Sequence, residues 1–411
     1  MATPAENFDV LNPRQAGEPS SASKTHLQRF SVSYEFPVVF TEGLFQTTNP
    51  TLKDTVARLE PNKKHRVIVF IDDGITTAIP EINSWIIDYC ATFSTHLELT
   101  TRPIEIPGGE LIKNSHSTIN QIRQHIDQTN LDRHSYVVAI GGGAVLDAVG
   151  FVAATAHRGI RHIRIPTTVL AQNDSGVGVK NGVNQFGQKN YMGTFAPPFA
   201  VLNDFEFLLT LNKRERRDGM AEAIKVALIR DAEFFRWIEA HTDKLSAFNP
   251  TEVQHLIQRC AELHMHQIAC GGDPFENGSA RPLDFGHWAA HKLETLSQHE
   301  LSHGEAVAIG IAMDAHYSHR VGLLDTQAVQ RIYSVLKALG FSLWSDTLEH
   351  SQNDGQLSVV QGLVDFQAHL GGELTITLLS SIGQGIEVHT MDDRYIYEAI
   401  EWLKQEHQLC N

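Results

Sequence analysis

Glu222, His287 and His303 are the residues of this chain that point most directly to chemistry. Two histidines each sit beside a glycine, in Leu283-Asp284-Phe285-Gly286-His287 and Ser302-His303-Gly304-Glu305. Upstream, Gly219-Met220-Ala221-Glu222-Ala223-Ile224-Lys225 supplies a carboxylate. One carboxylate and two imidazoles are the donor set of a catalytic zinc site that leaves positions open for substrate. Glu222 and Lys225 are three apart, and His287 and His291 are four apart, so each pair shares a helix face. If Glu222 and His287 hold the ion, Lys225 and His291 face whatever binds beside it. The chain has 22 histidines, so a solitary one carries little weight; His264, His266 and His316 are read as structural.

Glycine turns add a second layer. Gly141-Gly142-Gly143-Ala144-Val145-Leu146-Asp147 follows an apolar run and opens a helical pattern. Such a turn lets the backbone approach a pyrophosphate at a helix N-terminus, although the spacing is not G-x-G-x-x-G and a plain strand-to-helix turn fits equally well. Asp72, ending an earlier strand, suits a ribose hydroxyl or a simple turn cap. Asp174-Ser175-Gly176-Val177-Gly178-Val179-Lys180 and Gly187-Gln188-Lys189-Asn190 read as two glycine-flanked turns, each with a lysine. With Arg158-Gly159 they form a candidate cationic pocket for phosphate; surface lysines are the alternative.

The elements that must position these residues fall into two halves. Arg66 to Ile71, Tyr136 to Ile140 and Arg161 to Ile165 are β-rich apolar runs closed by Asp72-Asp73-Gly74, Gly141-Gly142-Gly143 and Pro166-Thr167-Thr168. Strands alternating with turns and helices predict an α/β fold with a parallel, Rossmann-like sheet. Beyond Asn203 helical patterns dominate, over 213–242, 250–270, 284–297, 303–320 and 326–340, with one late strand over Leu374 to Leu379. The expected organisation is a loose polar arm over 1–28, a nucleotide-binding α/β domain over 29–204 and a mainly helical metal- and substrate-binding domain over 205–411.

The totals narrow the partners. A net charge of -15 argues against nucleic acid and anionic membranes. Cys90, Cys260, Cys270 and Cys410 lack metal-type pairing and read as thiols of a reducing compartment. The N-terminus has neither a basic start nor an apolar run, so a cytoplasmic location is expected. The apolar stretch 136–156 is broken by three glycines and Asp147, which favours strand, turn and helix over a membrane span. No repeat or low-complexity tract is present.

Taken together, these segments resemble the 3-dehydroquinate synthase family, the sugar-phosphate cyclases, from about Asp72 to Leu379. The shared motifs are the glycine turn to Asp147, Arg158-Gly159, Pro166-Thr167-Thr168, Asp174 to Lys180, Lys189-Asn190, Glu222 with Lys225, His287 with His291, and His303-Gly304-Glu305. Glu110 and Lys113 match a further nucleotide-contacting pair. The resemblance implies zinc (or cobalt) on Glu222, His287 and His303. It implies NAD against Asp72, Glu110, Lys113, Gly141, Gly142, Gly143, Asp147, Thr167, Thr168 and Lys189. Asp174, Lys180, Asn190, Lys225, Glu276, Arg281 and His291 would face substrate. Arg158 matches an arginine passed across a homodimer interface to the neighbouring site. The implied chemistry is redox-neutral: transient oxidation of a ring alcohol, elimination of inorganic phosphate, return of the hydride, ring opening and aldol closure to a carbocycle. Lys180, Lys225 and His291 would hold and protonate the region of the leaving phosphate.

Three departures bear on the substrate. Arg281 lies six residues before His287, where quinate-forming members have seven. Asp284 replaces the usual asparagine. The usual lysine pair is missing from Phe366-Gln367-Ala368-His369-Leu370-Gly371-Gly372. The arginine spacing and the start Phe36-Pro37-Val38-Val39-Phe40-Thr41-Glu42-Gly43-Leu44-Phe45 resemble cyclases that use sedoheptulose 7-phosphate, whereas His291 follows the type that uses 3-deoxy-arabino-heptulosonate 7-phosphate. Two other readings remain: a metal- and NAD-dependent polyol or alcohol dehydrogenase, and an inactive scaffold that keeps the pocket.

Overall fold

The three strands expected from the sequence lie side by side at the centre of one parallel sheet. The computed structural model describes residues 25–186, 188–275, 283–352 and 355–410, apart from the side chains of His369 and Cys410. Phe36–Asn411 is one compact unit and Met1–Glu35 a separate one. In the latter, residues 25–35 are exposed and form neither helix nor strand.

The strands are β1 (Val38–Thr41), β2 (His65–Asp72), β3 (Leu97–Leu99), β4 (Ile104–Ile106), β5 (Tyr136–Gly141), β6 (Arg161–Pro166), β7 (Lys180–Gln185), β8 (Gln188–Phe195), β9 (Ala200–Asp204), β10 (Ile376–Ser381) and β11 (Gln384–Val388). Among the described residues seven of them form a sheet in the order β1-β9-β6-β5-β2-β3, with β4 also on β2. All its pairings are parallel. The chain order reverses at β2, so the crevice beyond the ends of β2 and β5 is the topological switch point where such sheets take ligands. Alternation explains the near-continuous apolar sequences. Val67, Val69, Ile71, Val138 and Ile140 feed one core. Ile68, Phe70, Val137 and Ala139 feed another on the opposite face. A sheet covered on both faces needs apolar residues at every position.

After Asp204 helices take over: α2 (Lys213–Arg230), α3 (Pro250–Cys270), α4 (His287–Leu296) and α5 (His303–Arg320) follow α1 (Gly143–Thr155) of the sheet half. Asn212 and Glu215 make a capping box that starts α2, as Ser302 and Glu305 do for α5. Every residue of α2 from Gly219 to Ile229 is buried, so this helix is a central rod rather than an amphipathic surface element.

Four expectations are corrected here. The pattern over 213–242 is not one helix: α2 ends before Asp231, whose extended backbone lets its carboxylate cap the next helix through Glu233 N and Phe234 N. The helix expected over 284–297 starts only at His287, because Gly286 takes a left-handed φ of 78°. The single late strand is a hairpin, β10 paired antiparallel with β11. Likewise the lysine-bearing turns lie on a second hairpin, β7 with β8, whose outer strand is almost wholly exposed.

Candidate metal centre and active site

Glu222, near the middle of α2, sits at 0% exposure. Its Oε1 lies 3.4 Å from His287 Nε2 and 3.2 Å from His303 Nε2. One potential ligand atom from each of the three falls within 4.8 Å of the others. These residues come from three helices packed through glycines. A Cβ on Gly304 would stand 2.2 Å from the Asp218 carbonyl, and one on Gly286 2.6 Å from the Ile311 amide. The first contact lets α5 close on α2, and the second lets the start of α4 close on α5.

The outer ring nitrogens indicate how the rings would bind. His287 Nδ1 lies 3.2 Å from the Phe285 carbonyl, and His303 Nδ1 3.5 Å from Glu294 Oε2. An acceptor on Nδ1 keeps the proton there and leaves Nε2 as a lone-pair donor toward the centre. The donor set therefore fits a divalent ion such as zinc. Without an ion, burial would lower the His303 ring, but Glu222 and Glu294 outweigh it and hold its pKa up at about 10. Burial would raise Glu222, yet Lys225 and His287 bring it well below the ordinary carboxylate range.

Charged groups surround this triad. Lys225 is 3% exposed and pairs with Glu222 Oε2; against its burial, Glu222, Asp174 and Asp284 keep it charged. Burial would raise the Asp284 carboxyl, but His287, Lys180, Lys225 and His291 together lower it, so it is an anion. His291 packs 5.4 Å from His287 and 6.3 Å from His303, ring to ring. Burial and then His287 push its pKa down to about 3, leaving a neutral imidazole. Asp174, on a turn over Ala171–Ser175, lies 2.8 Å from His264 Nδ1.

The nucleotide-side residues gather at the switch point. Asp72 accepts a hydrogen bond from Gly74 N at 2.9 Å and flanks Gly108. Gly142 is the N-terminal cap of α1 and lacks a side-chain partner there. A Cβ on Gly143 would meet Ser175 Oγ at 2.5 Å, so bare backbone joins the nucleotide crevice to the turn bearing Asp174. Thr167 N donates to Gly141 O, and Thr168 Oγ1 accepts from Ala171 N. Lys113 pairs with Asp147 at 3.0 Å. Glu110 accepts from Asn184 Nδ2, and Asn184 Oδ1 accepts from Asn190 N, tying both to the β7–β8 hairpin.

Arg158 is not brought to this site within one chain. It follows α1 and precedes β6, at the end of the parallel strands opposite the glycine turn, roughly 20 Å away by the rise of a six-residue strand. Glu276, Arg281 and Gly187 lie outside the described residues.

Four contributing residues escaped the sequence reading. Glu294 follows His287 by seven positions, a helical repeat that could have revealed it. Asp314 interrupts the apolar run of α5 and accepts from Gly286 N and Trp288 Nε1, fixing the turn that aims His287. Arg164 is fully buried and donates to the carbonyls of Gly176, Gly178 and Lys180 and to Asn181 Oδ1. It clamps the segment between Asp174 and Lys180. His264, read as structural, is the partner of Asp174; nothing in the sequence near it signals that role.

Comparison with known proteins agrees with the geometry. The 3-dehydroquinate synthase N-terminal family matches residues 103–218 and the 3-dehydroquinate synthase C-terminal family residues 219–359. A 3-dehydroquinate synthase of Nitrosococcus oceani is 36% identical over 72% of this chain and 81% of its own. The chain belongs to the 3-dehydroquinate synthase family. It is thus a sugar-phosphate cyclase, a carbon–oxygen lyase acting on phosphates. This cyclase is also similar to a 2-epi-5-epi-valiolone synthase of Streptomyces glaucescens, 32% identical over 87% of this chain and 88% of that one. A 2-epi-5-epi-valiolone synthase structure from Streptomyces hygroscopicus subsp. jinggangensis, with NAD+ and Zn2+ bound, superimposes with a TM-score of 0.79. It is 29% identical and covers 92% of this chain and 100% of its own. Glycerol dehydrogenase of Schizosaccharomyces pombe shares the fold, at a TM-score of 0.58 and 15% identity over 92% of each chain. Among the described residues no helix is long and apolar enough to cross a membrane.

Proposed function

We propose that this cyclase converts a seven-carbon ketose phosphate into a carbocycle with loss of inorganic phosphate and no net redox change, and that its substrate is sedoheptulose 7-phosphate. The observation that carries the cyclase chemistry is the convergence of Glu222, His287 and His303 beside Lys225, Lys180 and Asp284. In this reading Glu222, His287 and His303 hold zinc or cobalt. Asp72, Glu110, Lys113, Gly141, Gly142, Gly143, Asp147, Thr167, Thr168 and Lys189 line NAD. When bound, the dinucleotide and the metal supply reversible hydride transfer and polarise the alcohol that exchanges it.

The chain's own groups do the rest. Lys225 and Lys180 offer positive charge to the phosphate, and Asn190 offers an amide to it or to a hydroxyl. Neutral His291 accepts a proton or donates its N–H; it is not an imidazolium acid at pH 7. Asp174, oriented by His264, accepts hydrogen bonds from the sugar. Glu276 and Arg281 complete the substrate set, and Arg158 serves a neighbouring subunit of a homodimer.

Asp284 decides between the substrates. An anion between two lysines offsets part of the field that a second negative group would need. Sedoheptulose 7-phosphate carries only its phosphate, whereas 3-deoxy-arabino-heptulosonate 7-phosphate carries a carboxylate as well. The test is phosphate release from each sugar with the product identified by mass. Release from sedoheptulose 7-phosphate without accumulating NADH is expected. Faster release from the heptulosonate would overturn the substrate assignment, and stoichiometric NADH without phosphate would favour a dehydrogenase.

A further inference from the structure

Glu294 does not belong to the metal triad, yet it touches it and reaches outward. Its side chain is 6% exposed. Glu294 Oε2 lies 3.5 Å from His303 Nδ1. Glu294 Oε1 accepts from Lys189 Nζ at 3.1 Å. Lys189 stands on β8, the exposed strand of the β7–β8 hairpin, with a side chain 40% exposed. A continuous polar path thus runs from the hairpin through Lys189 and Glu294 to His303 and Glu222. Among the described residues His287 has no equivalent: its outer nitrogen faces the backbone carbonyl of Phe285, in its own turn.

We propose that Glu294 is a positioning residue that sets the ring of His303 for metal and, through Lys189, fastens the β7–β8 hairpin to the metal centre, so that filling the centre and seating the hairpin are linked. The inference rests on the reading of Glu222, His287 and His303 as metal ligands. Two physical arguments support it. A ligating imidazole needs an acceptor on its other nitrogen to fix tautomer and orientation, and loss of such an acceptor typically weakens metal binding tenfold to a hundredfold. The bridge also connects elements of unequal anchorage. Buried α4 offers a fixed carboxylate, while β8 is an outer strand that, among the described residues, pairs with β7 alone. A hairpin held on one side gains order from an added charged bond at its far edge. Since Lys189 and Asn190 are neighbours on that strand, linkage would hold the nucleotide-facing and substrate-facing groups together more firmly when metal is in place.

The test uses the full chain, zinc alone as the probe, and two readouts: zinc affinity by chelator competition and amide hydrogen exchange across residues 180–195. Three forms are compared: the unaltered chain, Glu294→Gln and Lys189→Met. The unaltered chain should bind zinc and slow exchange in the hairpin. Glu294→Gln should weaken zinc roughly tenfold to a hundredfold and abolish the zinc-dependent slowing. Exposed Lys189→Met, which leaves the core intact, should keep zinc affinity within about threefold and still lose the slowing. With cobalt in place of zinc, Glu294→Gln should also shift the visible ligand-field bands. If the unaltered chain binds no zinc, the ligand assignment itself fails. If it binds zinc but Glu294→Gln binds equally tightly, or Lys189→Met still shows zinc-dependent slowing, the linkage is wrong and the metal centre stands.

Discussion

His303 must change its charge state when the centre fills. In the metal-free chain Glu222 and Glu294 hold its proton up to about pH 10. Because this folded value exceeds the ordinary 6.5, the ionised ring adds to the stability of the metal-free fold below pH 6.5. That contribution is lost as pH rises through about 10. A metal needs the lone pair, so binding below that pH expels the proton. Zinc affinity should therefore rise about tenfold per pH unit between pH 6 and 9, measured by competition with a chelator of known pH dependence; a flat profile would refute the ionised ring. Glu222→Ala should abolish zinc binding and phosphate release while far-ultraviolet circular dichroism stays unchanged. Retained zinc would remove Glu222 from the ligand set. Asp284 makes a separate prediction. Asp284→Asn removes an anion from between Lys180 and Lys225. It should shift substrate preference, read as the ratio of the two specificity constants, toward the heptulosonate and away from sedoheptulose 7-phosphate by at least tenfold, about 1.4 kcal/mol. An unchanged ratio would sever Asp284 from specificity.

At the scale of elements, the site depends on where α4 begins. Gly286 adopts φ of 78°, and a Cβ there would lie 2.6 Å from the Ile311 amide. Gly286→Ala combines a left-handed backbone penalty of about 1–2 kcal/mol with overpacking of about 1–3 kcal/mol. The urea midpoint should fall accordingly, and zinc should bind more weakly because His287 is the next residue; a neutral substitution would show that the turn is not strained. The sequence misplaced this boundary by reading the helix from Asp284, since apolar periodicity runs through Leu283 and Phe285 and does not register a backbone angle. Strands β2 and β5 were legible because both their faces are buried and their sequences are largely apolar; β6 is buried as well but carries Arg161, His162 and Arg164, and was marked chiefly by Ile163, Ile165 and the Pro166 turn that closes it. The β7–β8 hairpin was not. Gln188-Lys189-Asn190-Tyr191 has the composition of a loop, and an outer strand with both faces in solvent leaves no alternation to read. The metal ligands were legible because each carries a local mark, a glycine neighbour or an i, i+3 partner. His264 and Arg164 carry none, being placed by contacts that only the folded chain creates.

At the scale of the whole molecule, Arg158 poses the sharpest question. The strand-and-helix walk of the sheet puts the glycine turn at one end of the strands and the α1–β6 connection at the other, so Arg158 and the glycine turn are separated by the length of β6. Its backbone is held out of the way, with positive φ at His157, Arg158 and Gly159, and its side chain is exposed. Such an arginine can serve a phosphate only on a second copy. A two-fold dimer would supply the reciprocal exchange, because an isologous interface gives each subunit what it lends. Complementation tests this directly. Arg158→Ala and Glu222→Ala should each be inactive in phosphate release. In a mixed dimer, the Arg158→Ala subunit keeps its metal ligands and receives the intact arginine of its neighbour, while the other site lacks both. Random pairing of equal amounts makes about half the dimers mixed, each with one working site, so about one quarter of the unaltered activity should return. Return of activity only when the subunits are exchanged by partial unfolding and refolding would place the arginine in trans; no return, with mixed dimers verified by mass, would place the phosphate-binding cation within one chain and leave Arg158 on the surface.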